Sequence, residues 1–79
     1  MNTINFQLTQ EFIELNHLLK HCGFAHSGGS GGMLVTTGVI MVDGQVELRK
    51  RNKIRAGQVV TFADNEIHVI AAQALIHGA

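Results

Sequence analysis

Two apolar runs, Val39-Ile40-Met41-Val42 and Gln45-Val46-Glu47-Leu48, stand on either side of Asp43-Gly44. An Asp-Gly pair tolerates the positive φ angles of a two-residue turn, so this stretch predicts a β-hairpin. In a chain of 79 residues the hairpin must share one small core with everything else. There is room for a single domain, residues 1–79. A chain this short buries only roughly 60–65% of the surface that its unfolded form exposes. A second strand pair is predicted from Val59-Val60-Thr61-Phe62 and Glu66-Ile67-His68-Val69-Ile70, turning at Asp64-Asn65. Alternation about Phe6 and Leu8 predicts a short leading strand.

Helical periodicity precedes the hairpin. Phe12, Leu15, Leu18, Leu19 and Cys22 recur at three- and four-residue steps and make one apolar face. Thr9 reads as the N-cap, Glu11 suits the positive end, and Gly23 is a stop, which predicts a helix over 10–22. The run Ser27-Gly28-Gly29-Ser30-Gly31-Gly32 is harder to place. Each interior glycine weakens a helix by ~1 kcal/mol relative to alanine, and propensity alone says loop. Yet Ser27 is a good N-cap, Met33-Leu34-Val35 could be a buried end, and Gly38 would close a short helix. The residues by themselves leave both readings open.

The expected class is α+β: two N-terminal helices packed on a small, mainly antiparallel sheet of about four short strands. The core should span about 6–70. The apolar tail, 71–79, is unassigned, and its Ala74-Leu75-Ile76 offers a surface to a second copy, although a monomer is expected.

Several function classes are excluded at this stage. No apolar run approaches the ~20 residues that span a bilayer, and MNTINFQLTQ is not a secretory signal. Cys22 is the single cysteine, so no internal disulfide forms. A cytoplasmic protein with no membrane partner is expected. His17 and His21 are four apart and Cys22 and His26 follow, but no second ligand pair has zinc-finger spacing. As a nucleophile Cys22 would need a base and an orienting group nearby, and a small core residue is the better reading; the glycine run lacks a phosphate-loop lysine. No metal, no cofactor and no catalysis are expected.

Net charge is zero, with six basic and six acidic residues. The distribution is far from even. Arg49, Lys50, Arg51, Lys53 and Arg55 fall within seven positions that hold no acid, a segment of +5. The remainder, Lys20 against Glu11, Glu14, Asp43, Glu47, Asp64 and Glu66, carries −5. A polarised molecule presents a local field to an anionic partner whatever its total. As extended chain, alternate side chains would share one edge, aligning Arg49, Arg51, Lys53 and Arg55 while Ile54 pins the segment to the core. Arginine forks suit phosphate. The only aromatics are Phe6, Phe12, Phe24 and Phe62. That favours shape and phosphate recognition of folded or double-helical RNA over base stacking. The alternative partner for such an edge is an acidic protein.

At this point the residues resemble a known family. LNHLLKHCG over 15–23, Ser27, GVIMVDG over 38–44, ELRKRNK over 47–53 and AGQVV over 56–60 are similar to the RNA-binding domain first seen in small-subunit ribosomal protein S-four. The likeness is strongest to its short stand-alone bacterial YbcJ-like branch and covers roughly 6–69. It implies two packed helices over a small sheet, with 27–37 as the second helix. It also implies RNA, of a ribosomal or transfer-RNA-like kind, held against the helical face and the neighbouring hairpin, with ribosome or assembly-factor association. Relatives often carry arginine or lysine where this chain has Glu14, Gly28 and Gly32. The expected RNA contacts are therefore Arg49, Lys50, Arg51, Lys53 and Arg55, with Lys20, His26 and Ser27 from the helix ends.

Overall fold

The computed structural model describes residues 2–72. The element order is β1 (Asn2–Leu8), β2 (Ile13–Glu14), α1 (Leu15–His21), α2 (Gly28–Thr36), β3 (Ile40–Val42), β4 (Gln45–Val46), β5 (Lys53–Ile54), β6 (Val59–Phe62) and β7 (Asn65–Ala71). Five strands form one sheet in the order β1-β7-β6-β3-β4, and β2 pairs with β5 in a separate two-stranded ribbon. Only β1 and β7 are parallel; every other pairing is antiparallel. The expected α+β class with a mainly antiparallel sheet is found, with more strands than the four expected.

Register explains the core. Val42, Val60, Ile67 and Ile4 lie opposite one another across β3, β6, β7 and β1. Because strand side chains alternate, this rung points to one face of the sheet. Ile40, Val60, Ile67 and Val69 on that face are at most 1% exposed, and Leu15, Leu18, Leu19 and Val35 of the helices are fully buried with them. The Asp43-Gly44 turn holds both residues at positive φ, +52° and +86°, the conformation that Asp-Gly was expected to supply. The second turn is displaced by one residue. Phe62 pairs with Asn65, so the loop is Ala63-Asp64, with Ala63 at φ +54°. Asn65 compensates by donating from Nδ2 to the Phe62 carbonyl at 3.2 Å.

The first helix begins later than its periodicity predicts. Ile13 and Glu14 are taken into the antiparallel pair with Ile54 and Lys53, which keeps the chain extended up to Leu15. Thr9 is not its cap, and Phe12 lies ahead of the helix. Glu14 provides no side-chain cap. Instead the first two helical N–H groups, of Leu15 and Asn16, donate to the carbonyls of Asn52 and Lys50, each at 2.9 Å. The second helix does form through the glycines. Ser27 Oγ accepts from Ser30 N, and Ser30 Oγ accepts from Ser27 N, both at 3.1 Å, a reciprocal capping box.

Close packing accounts for two of those glycines. A β-carbon on Gly31 would lie 2.5 Å from the backbone oxygen of Asn16, so only glycine lets α2 approach α1 this closely. One on Gly32 would lie 2.8 Å from Lys50 Cδ. Among the described residues no helix is long and apolar enough to cross a membrane. The tail call at Ala74-Leu75-Ile76 lies outside the described residues.

Candidate functional site

The basic segment is not the extended ladder expected from its spacing. Asn52 N donates to the Arg49 carbonyl at 3.0 Å, closing a turn with Lys50 and Arg51 at its apex. The turn reverses the chain, so Arg49, Arg51, Lys53 and Arg55 do not share one edge. The cause is Glu47. Its carboxylate accepts from Arg49 N at 2.9 Å, Arg49 Nε at 2.8 Å, Arg49 Nη2 at 3.3 Å and Asn52 Nδ2 at 3.4 Å. One largely covered carboxylate, 14% exposed, thereby clamps both ends of the turn. The Arg49 hydrogen bond holds the Glu47 carboxyl below the ordinary carboxylate range, and reciprocally raises the Arg49 guanidinium.

All five cations are exposed, but their circumstances differ. Arg49 belongs to the Glu47 clamp. Arg55 Nη1 lies 3.6 Å from Glu11 Oε2, a solvent-screened pair of small energetic weight. Lys53 Nζ and Arg55 Cζ lie 4.8 Å and 5.6 Å from the centroid of the Phe12 ring. Such cation–aromatic contacts hold the two side chains over a half-buried phenylalanine. Lys50, Arg51 and Lys53 have no carboxylate within ion-pair distance among the described residues.

Lys50 and Arg51 form one wall of a groove of about 260 Å³, which Asn16, His17, Gly28, Gly29 and Gly32 complete. The backbone bonds from α1 to Lys50 and Asn52 fix this wall against the helices. The opposite wall is the start of α2, where the N–H groups of Gly28 and Gly29 have no intrahelical acceptor, as at any helix start. The groove thus gathers Lys50 and Arg51 with the first turn of α2, whose glycines add no side chains to its lining. That arrangement suits an anion. A shallower hollow beside it is lined by Arg49, Arg51, Asn52 and Lys53.

The remaining expected contacts are placed apart. Lys20 follows Asn16 by four residues and His17 by three, so it shares their face of α1 one turn further on, but it lines neither depression. Ser27 Oγ is engaged in the α2 cap. His26 donates its N–H to Ser30 Oγ at 3.1 Å and borders an apolar hollow with Phe24, Met33 and Thr37, on a different face of α2. Sequence reasoning passed over Asn16 as a site residue. It falls between the apolar positions Leu15, Leu18 and Leu19, which periodicity alone gives no reason to single out, and the structure buries it at 8% exposure. Cys22 is partly buried, and burial raises its thiol pKa, away from a nucleophile's state at neutral pH.

The sequence matches the S4 domain family over residues 6–70. It is 46% identical over 59 residues to the YbcJ protein of Escherichia coli (strain K12), covering 75% of this chain and 84% of that one. The YbcJ protein of Shigella flexneri matches with the same identity and coverage. The solution structure of Escherichia coli YbcJ superimposes with a TM-score of 0.63 at 41% identity, covering 90% of this chain and 89% of that one; it is described as revealing an αL motif involved in RNA binding.

Proposed function

The chain belongs to the S4 domain family, and from that premise we propose that it binds structured RNA and catalyses no reaction. The observation that carries the reading is the pair Lys50 and Arg51, exposed on a turn that the α1 backbone and Glu47 hold in place and lining one groove with the start of α2. A preformed cationic wall loses little freedom when a phosphate backbone settles on it. Lys53 and Arg55, held over Phe12, extend the cationic surface to neighbouring phosphates. Lys20, one turn along α1, meets the same strand further on, and His26 and Ser27 contribute at the α2 end. Arg49 contributes least, because Glu47 offsets its charge. The ligand class is ribosomal or transfer-RNA-like, as the family resemblance implies, and its folded helices would be met by shape and phosphate.

The experiment is a filter-binding or anisotropy titration of a folded hairpin RNA across a salt series. With about three phosphates engaged, the log–log slope of affinity against salt should be roughly −2 to −3. Changing Lys50, Arg51 and Lys53 together to glutamate should abolish binding while the circular-dichroism spectrum is retained. Unchanged affinity in that folded variant would refute the proposal. Retention of an acidic protein after nuclease treatment, with no RNA bound, would replace it.

A further inference from the structure

We infer that Phe12, with Lys53 and Arg55, forms a stacking site for one unpaired nucleobase beside the RNA helix. The inference rests on the RNA-binding reading and adds a base to the phosphates already assigned.

Phe12 differs from the other three phenylalanines. Phe6, Phe24 and Phe62 pack against the buried core, and Phe12 is not among them. The cause is the β2–β5 ribbon. Ile13 pairs with Ile54 and Glu14 with Lys53. Ile13 and Ile54 turn inward to the core, Ile54 being fully buried. Strand side chains alternate, so Phe12, Glu14, Lys53 and Arg55 belong to the outer face. Continuing the register by one residue sets Phe12 opposite Arg55, where the cation contact is found.

The ring is thus covered by charged side chains rather than by the core. Lys53 Nζ stands over it at 4.8 Å and Arg55 Cζ at 5.6 Å, and both residues are exposed. Two carboxylates share this region and neither closes the site. Glu14, across from Lys53, has its Oε1 3.8 Å from His17 Nδ1. Glu11, which meets Arg55 at 3.6 Å, is itself 82% exposed and free to swing away. An aromatic face under two exposed cations matches a nucleotide on both counts. The ammonium and guanidinium move onto its phosphates, and the ring they uncover takes the flat face that every base possesses. An apolar peptide would fill the ring face and leave the cations without a partner. A paired base is already stacked within its helix, so the ligand is a base in a bulge or loop. One ring serves one base, which leaves the helix itself to be met by shape and phosphate.

The test uses one hairpin RNA in three forms: with a fully paired stem, with a single bulged adenosine, and with an abasic residue at that bulge. The abasic form keeps the phosphate of the bulge without the base. The parent protein should bind the bulged-adenosine hairpin about tenfold more tightly than the abasic one, the weight of one base stacked on an aromatic ring. Phe12→Leu, which keeps apolar bulk without the aromatic face, should bind both equally, at the parent's affinity for the abasic form. Phe12→Trp should retain or widen the difference. Equal binding of the two bulged RNAs by the parent overturns the inference and leaves RNA binding standing. This arm decides the question even where a variant does not fold. A folded Phe12→Leu that keeps the parent's preference, whether or not both affinities fall together, also overturns it, since Phe12 then only supports the cations. Absence of binding to all three hairpins removes the functional reading and the inference with it.

Discussion

The glycine run in α2 makes a sharp prediction, because two identical substitutions two residues apart should act in opposite directions. An alanine β-carbon at Gly31 would sit 2.5 Å from the backbone oxygen of Asn16, against 3.7 Å from the nearest atom, Ser27 Oγ, at Gly29. The obstacle at Gly31 is main chain of a packed helix, which cannot rotate aside. Relief requires α1 and α2 to separate by several tenths of an ångström, which disturbs contacts around the buried Leu15, Leu19 and Val35. Overpacking of this kind costs about 1–3 kcal/mol, and a backbone obstacle puts it at the upper end. Replacing a helical glycine by alanine returns ~1 kcal/mol. Gly31→Ala should therefore lose about 2 kcal/mol net, whereas Gly29→Ala should gain up to ~1 kcal/mol. In a domain of this size 1 kcal/mol moves the melting temperature by roughly 4–8 °C, so the two variants should melt well apart. Urea titration of parent and both variants at one pH measures it. A Gly31→Ala protein as stable as the parent would refute the close-approach argument.

Two further outcomes are expected. Ser27→Ala removes one half of the reciprocal cap and should lower stability by about 1 kcal/mol in thermal melts. Its RNA affinity should fall less than that of Arg51→Ala, because the Ser27 hydroxyl is already engaged within the helix start. Glu47→Gln keeps an amide oxygen as acceptor for the turn but removes the charge that offsets Arg49, so it should strengthen RNA binding severalfold, measured by the same anisotropy titration, and should slightly reduce stability at neutral pH. The sign of its pH dependence follows from the lowered carboxyl. The unfolded chain holds the Glu47 proton more tightly, so the clamp's contribution is fully present above about pH 4.5, the ordinary value, and is lost as pH falls through the lowered one. Melts of parent and Glu47→Gln should converge in acid.

Local chemistry was readable wherever it decided the outcome alone. Asp43-Gly44 announced its turn because few residues accept two positive φ angles, whereas Ser27 offered a cap but the glycines after it left loop and helix both open. The sequence failed where a distant partner outweighed local preference. Phe12 and Ile13 continue the apolar period of α1, yet pairing of Ile13 with Ile54 holds the chain extended there. Asp64-Asn65 is the better turn dipeptide, but the register that sets Val60 opposite Ile67 moves the loop to Ala63-Asp64. The cationic run was correctly seen as segregated and wrongly seen as straight, because Glu47 lies outside it and folds it back. The buried side-chain oxygen of Asn16, without a hydrogen-bond partner among the described residues, has no signature in sequence at all; only the packing of two helices strips it of water.

The parallel pairing of β1 with β7 has a consequence for how the molecule comes together. Asn2 and Asn65, 63 residues apart in the chain, lie side by side. Joining ends so distant loses roughly 4 kcal/mol of chain freedom, whereas the two-residue links β3–β4 and β6–β7 lose far less. The hairpins and the helical pair can therefore assemble as a platform before β1 docks, and β1 is the piece most readily released. An accident at the amino-terminal rim would loosen a single strip of sheet and spare the β3–β4 hairpin at its opposite edge.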